Sequence, residues 1–227
     1  MLDVAIARAA SAETLRAFAL DESLKARVLA DARLSPIASR IADRYIAGET
    51  LDQVFDRLPE VLARGHLASI EYTGESVRAA AVADAETEVF LELARRIQMS
   101  AVPSTVSFDL SHIGLTVDPE LGYRNAVRLA EATAEAGTEL IISAEGSART
   151  DLVLDTLLSS HGSALAAPHI EFEMLLGLGT ETLDELRAAG LRTREYLIFG
   201  TEWWLYVLNR IAENPDRVFQ AITDAAG

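Results

Sequence analysis

The chain has 227 residues, half of them apolar, enough for one sizeable core and short for two. Twenty basic against 35 acidic residues give a net charge of −15, which argues against nucleic-acid backbones and anionic membrane surfaces as partners. The absence of cysteine excludes disulfides, thiolate nucleophiles and cysteine metal clusters, and makes a reducing cytoplasm the expected location.

Residues 1–65 read as a helical segment. Leu15, Phe18 and Ala19, then Leu24, Val28 and Leu29, recur at three-to-four spacing. Lys25 in this stretch is the chain's single lysine, and no glycine lies near it, so Schiff-base and P-loop chemistry are close to excluded. Ser35-Pro36 predicts a cap and first-turn proline, opening a helix through Tyr45 that stops at Gly48. Thr50 and Gln53 stand at capping-box spacing and predict a helix ending near Gly65.

From residue 66 to 227 the pattern changes to alternating strands and helices, read as a second, β/α unit. Strands are predicted over 66–74, 104–111, 138–146, 169–177 and 191–200, with helices over 86–98, 121–137, 149–162, 181–190 and 203–222. Pro215 should interrupt the last helix after Asn214. Such alternation implies right-handed crossovers and a parallel sheet. No run of about 18 apolar residues and no charged-then-apolar leader occurs, so neither a membrane span nor a signal peptide is predicted.

Several polar groups fall where chemistry could sit. Glu71 and Glu75 flank Gly74 at the end of the first strand, where carboxylates can serve acid–base work or simply cap a turn. Asp109 and His112 end the second strand and could pair, share a metal or only form a turn. Tyr206, Asn209, Arg210 and Glu213 share one face of the last helix, suited to a zwitterion if Arg210 takes its carboxylate and Glu213 its ammonium. The same four could be a solvated face with an Arg–Glu pair. Trp203 and Trp204 read as helix-docking residues. Four scattered histidines, at 66, 112, 161 and 169, offer no metal cluster.

Taken in order, these segments resemble the proline dehydrogenase family of flavin-dependent (β/α)8 barrels. Residues 41–77 are similar to the family's helices leading into a first strand that ends in Leu-Gly-Glu, here Thr73-Gly74-Glu75. VSFDLSHIGL (106–115), IISAEGSARTDLVLDTL (141–157) and HIEFEMLLG (169–177) resemble the second, third and seventh strands. YLIFGTEWWLYVLNRIAENP (196–215) resembles the eighth strand and the helix carrying the family's Tyr-x-x-Arg-Arg-x-x-Glu face. Tyr206, Arg210 and Glu213 are kept. Asp109 stands for a lysine, Ser143 for an aspartate, Asn209 for the first arginine and Glu173 for a glutamine.

The family's flavin-holding middle strands, Gln-Ala-Tyr and Val-Lys-Gly-Ala-Tyr, have no counterpart. SSHGSALAA faintly resembles the family's Ala-Thr-His-Asp segment, which makes His161 a candidate flavin-side histidine. A full (β/α)8 domain takes roughly 250 residues. The resemblance therefore implies an incomplete or reduced (β/α) barrel behind N-terminal helices, with the strands in spatial order seventh, eighth, first, second, third. It also implies a pseudoenzyme: a non-catalytic or half-site subunit without cofactor, stabilising another protein chain, a related barrel or a second copy, in a small-molecule biosynthetic complex. The alternatives are a flavin-independent enzyme on an amino-acid-like substrate, using Tyr206, Arg210, Glu213 and Asp109, and a residual FAD-dependent proline oxidoreductase.

Overall fold

The computed structural model describes residues 4–74, 77–100, 102–142, 172–188, 190 and 192–226. Four helices come first: α1 (Val4–Ala19), α2 (Glu22–Ala30), α3 (Leu34–Ala42) and α4 (Leu51–Ala63). Strands and helices then alternate as β1 (Leu67–Tyr72), α5 (Ala80–Ser100), β2 (Ser104–Phe108), α6 (Pro119–Ala136) and β3 (Leu140–Ile142). The chain continues through β4 (Phe172–Leu175), α7 (Thr180–Ala188), β5 (Thr193–Phe199), α8 (Trp203–Glu213) and α9 (Arg217–Ala226). The helix expected over 149–162 lies outside the described residues.

Local chemistry accounts for most boundaries. The capping box of α4 forms as the spacing predicts: Thr50 Oγ1 accepts from Gln53 N, and Gln53 Oε1 accepts from Thr50 N. Asp118 caps α6 ahead of Pro119, and Gly137 closes it in the left-handed region at φ 66°. Helix α3 departs from expectation. It begins at Leu34, because Asp31 Oδ1 accepts from the amides of Arg33 and Leu34, and Ser35 falls inside the first turn. Helix α5 starts six residues earlier than its apolar spacing suggests. Its alanine-rich opening buries no large apolar side chain, since Val82 is exposed, yet Ala83 is fully buried. Pro215 separates α8 from α9, with Asn214 as the C-cap of α8.

The five strands form one parallel sheet in the order β3-β2-β1-β5-β4. That is the order expected from deleting the middle strands of a barrel. Among the described residues β3 and β4 stand at opposite edges and no closure joins them, so this is an open segment of barrel rather than a smaller closed one. The central pairing is between the first strand and the last: Leu67–Tyr72 lies in register with Arg194–Phe199.

Side chains alternate across this sheet. Ala68, Ile70, Val106, Phe108, Leu197 and Phe199 face the helices and pack with Val54, Leu58, Phe90, Leu93 and Leu129 in the main core. The opposite face is polar. Ser69 and Thr105 are register partners there, and Thr105 Oγ1 donates to Ser69 Oγ at 3.0 Å. Arg194 crosses this face almost fully buried and donates to Ala68 O at 3.0 Å. At the amino-terminal end of β5, buried His66 is held between Thr193 Oγ1 and Asp184 Oδ1, both at 2.9 Å, which ties α7 to the sheet.

A second cluster joins the helical segment to the end of the chain. Trp203, Trp204, Val207 and Ile211 of α8 pack with Ala42, Tyr45 and Ile46. Trp204 Nε1 donates to Phe18 O at 2.9 Å, and Trp203 Nε1 to Glu49 Oε1 at 2.8 Å, as docking residues should. Helix α9 is clasped by a bidentate pair: Arg44 Nε and Nη2 each donate to an Asp224 carboxylate oxygen at 2.6 Å.

The Arg44 guanidinium holds the Asp224 carboxyl below its ordinary value of 3.8. A depressed carboxylate pKa gives stability that is present above the unfolded value and fades as pH falls through the folded one. Asp224→Asn should therefore cost about 1 kcal/mol near neutrality. In thermal melts against pH, its deficit relative to the parent chain should shrink steadily below pH 3.8. A deficit that does not change with pH would show that the clasp acts by shape alone.

Candidate functional site

Parallel strands present their carboxyl ends at one rim, where β/α folds place ligands. A cavity of about 810 Å³ lies at this rim, on the polar face of the sheet. Glu71 of β1, Ser107 of β2, Ile141 of β3, Glu173 of β4 and Tyr196 of β5 line it, with Asp109 just beyond β2. Tyr206 and Arg210 of α8 line the side opposite the sheet. Thus Asp109, Tyr206 and Arg210, separated by a hundred residues in sequence, meet in one hollow.

Helical spacing divides the four residues of the α8 face. Tyr206 and Arg210 point into the cavity, and Asn209 and Glu213 are not part of its lining. Glu213 stands behind Arg210, with Oε1 2.5 Å from Arg210 Nη2. The Arg210 guanidinium also lies 5.2 Å from the Tyr206 ring centroid, at cation–π range. Burial pushes the Tyr206 phenol well above its usual value, with Arg210 opposing the shift and Glu71 adding to it. The Tyr206 hydroxyl and Arg210 Nε are both buried without a hydrogen-bond partner among the described residues.

Electrostatics set this cavity apart. Among the described residues its lining carries five carboxylates, from Glu22, Glu71, Asp109, Glu173 and Glu202, against one basic side chain, Arg210. Lys25 sits at the rim, 2.6 Å from Glu202 Oε2 and 3.5 Å from Glu22 Oε2. The single lysine is therefore a tie between α2 and the start of α8.

His112 belongs elsewhere. The expected link to Asp109 is a backbone turn, His112 N donating to Asp109 O at 3.0 Å. Its ring is fully buried, stacked on Tyr72, with Nε2 3.0 Å from Glu86 Oε2 of α5. Glu86 is the partner because α5 packs over the outer face of β1 and β2, away from the cavity. No group of three or more metal-ligating side chains occurs among the described residues. Glu75, Ser143, His161 and His169 lie outside them.

Two features of the cavity were not evident from spacing. The Tyr196 hydroxyl donates to Glu71 Oε2 across β5 and β1. Only strand register could reveal that pair, because it sets Tyr196 opposite Ser69, one inward position from Glu71. Thr73, 8% exposed, lines the cavity with a hydroxyl that has no partner among the described residues. Gly200 lets that hydroxyl fit: it holds φ 130°, and a Cβ there would collide with Thr73 Oγ1.

A buried hydroxyl without a partner lowers stability, so Tyr206→Phe should leave the ligand-free chain unchanged or stabilise it by up to about 1 kcal/mol. Denaturant unfolding measures this directly, and a loss above that size would mean that the phenol is hydrogen-bonded in solution.

Comparison with known proteins agrees with this geometry. No family model matches the chain. Proline dehydrogenase 1 of Bacillus subtilis (strain 168) is 43% identical over 51 residues, which cover 22% of this chain and 17% of that protein. Proline dehydrogenase of Deinococcus radiodurans is 44% identical over 45 residues, 20% of this chain and 14% of its own length. Proline dehydrogenase 2 of Bacillus subtilis (strain 168) is 19% identical in an alignment covering 79% of this chain and 89% of that relative. Among solved structures, proline utilization A (PutA) from Bdellovibrio bacteriovorus, inactivated by N-propargylglycine, shares the fold. Its TM-score is 0.68 at 10% identity, over 94% of this chain and 42% of that one. High identity in short segments, low identity along most of the length and a shared fold make this chain similar to the proline dehydrogenases.

Proposed function

We propose that this chain is a proline dehydrogenase-like pseudoenzyme of the cytoplasm, a non-catalytic or half-site subunit that stabilises a partner protein in a small-molecule biosynthetic complex. The charge of the cavity carries this reading. Arg210 and its support Glu213 remain on α8, but Asp109 and Glu173 add negative charge where a substrate carboxylate would have to come to rest. Like charges that close disfavour binding by several-fold or more even when partly screened.

The lining does not suit a flavin dinucleotide either. A diphosphate needs convergent cations or backbone amides, and among the described residues the lining offers five carboxylates with one guanidinium. The 29 residues from 143 to 171, between β3 and β4, are fewer than one crossover unit of roughly 30 residues. That length supports the loss of the middle strands from the barrel. Edge strands favour a partner: among the described residues β3 and β4 each pair on one side only. A related barrel with a fuller set of catalytic residues, or a second copy of this chain, would cover them.

A second reading is favoured by the retained Tyr206, Arg210 and Glu213, which would serve a flavin-independent enzyme acting on an amino-acid-like substrate. Copurification separates the two. The untagged chain should leave its native cells in a stoichiometric complex with a barrel subunit, and the isolated chain should be colourless and marginally stable. A monomer by light scattering that melts cooperatively well above growth temperature would overturn the subunit reading. A yellow preparation with one flavin per chain would return the chain to the oxidoreductases.

A further inference from the structure

A second pocket, of about 440 Å³, shares no lining residue with the cavity at the rim. Glu195 lines it, in step along β5 with Leu197 and Phe199, so the pocket lies on the helix side of the sheet. Its other walls come from α3, α4, α9 and the turn after β4. We propose that this pocket binds phosphate, either inorganic phosphate or the phosphate group of a small phosphomonoester, through Arg40 and Arg57.

In a chain of net charge −15 this lining stands apart, because it carries four arginines against three carboxylates. Two of those carboxylates are already satisfied. Both oxygens of Asp224 accept from Arg44, each at 2.6 Å. Glu195 accepts from Arg64 at Oε2 and from Thr180 Oγ1 at Oε1, the latter at 3.0 Å. The third carboxylate, Asp43, is exposed. Arg40 and Arg57 are held differently. Arg40 Nη2 donates to Ala225 O at 2.8 Å, and Arg57 Nη1 donates to Ile46 O at 3.3 Å. A main-chain carbonyl aims a guanidinium without cancelling its charge, and one such bond leaves most of its five N–H groups for other acceptors. Among the described residues neither arginine has a carboxylate at ion-pair distance.

Two aimed guanidinium groups from neighbouring helices call for an anion with oxygens for both. A carboxylate matches one guanidinium fork, whereas a phosphate offers three strong acceptor oxygens and a charge of about −1.5 to −2 at neutral pH. Small-molecule pockets run from roughly 300 to 1,000 Å³, so this one has room for a phosphate with a short organic group attached. The walls are preformed. Gly177, at φ 72°, lays the turn after β4 against Arg44, where a Cβ would collide with the Arg44 carbonyl oxygen. The Arg44–Asp224 clasp then fixes α9 beside it.

Calorimetric titration of the purified chain, in the assembly in which it is recovered and at constant ionic strength, tests this with inorganic phosphate, glycerol 3-phosphate and acetate. Phosphate should bind saturably and acetate about ten-fold or more weakly. Tighter glycerol 3-phosphate would identify a phosphomonoester as the occupant, and equal or weaker binding would identify inorganic phosphate; either result supports the site. Arg40→Gln and Arg57→Gln should each weaken phosphate about ten-fold or more, the loss of a charge-assisted bond. Asp43→Asn should tighten it by about two-fold or more, by removing a like charge at the rim. Arg16→Gln, an exposed arginine of α1 outside the pocket, should change nothing. No saturable phosphate binding at millimolar concentration, acetate binding as tightly as phosphate, or unaltered affinity in both pocket arginine variants would each overturn the proposal. Should Arg57→Gln not fold, exposed Arg40, the Asp43 variant and the ranking of the anions on the unaltered chain decide.

Discussion

Everything in this molecule hangs on the pairing of β1 with β5. These strands lie 120 residues apart in sequence and run parallel in register from Leu67 and Arg194 to Tyr72 and Phe199. In a complete barrel of this kind the same pairing is the closing seam. Here it is the centre of the sheet, flanked by β2 and β4. The consequence is a fold tolerant of loss elsewhere: strands removed from the middle of the chain leave the central pair, its helices and the cavity rim in place.

That central pair also decides which chemistry meets. β1 delivers Glu71 and Thr73 to the rim, β5 delivers Tyr196, and the turn after β5 starts α8 with two docked tryptophans. Helix α8 is thus fixed from both ends of the chain, and Arg210 is held at the cavity by packing of the helix in which Tyr206 takes part. A protein can lose the use of such a site and keep its shape, because most of the residues that position α8, such as Trp203, Trp204, Val207 and Ile211, do not line the hollow.

How much of this was legible in the sequence depended on the range of the interaction. Signals within one turn are legible: the Thr50–Gln53 box, the Gly137 stop, the break at Pro215. The start of α3 is not legible, because Asp31 and Ser35 are both caps by type and it is Asp31 that satisfies the first amides. Sequence proximity points His112 to Asp109, whereas the packing of α5 gives it Glu86. The family resemblance supplied the strand order, which no periodicity contains. The Tyr196–Glu71 pair and the orphaned hydroxyls required register and depth, which exist only after folding.

The docking of α8 gives the molecule a built-in optical reporter. Both tryptophans of the chain, Trp203 and Trp204, begin that helix, nearly buried, with their indole nitrogens bonded to Glu49 and to the Phe18 carbonyl. Their emission therefore registers a single event, the seating of the N-terminal helices on the helix that carries Arg210 of the cavity lining. Exposed indoles emit at longer wavelength and quench more readily than buried ones. A red-shifted, quenchable spectrum from otherwise helical protein would thus signal that the lid of helices has lifted while the sheet beneath stays intact.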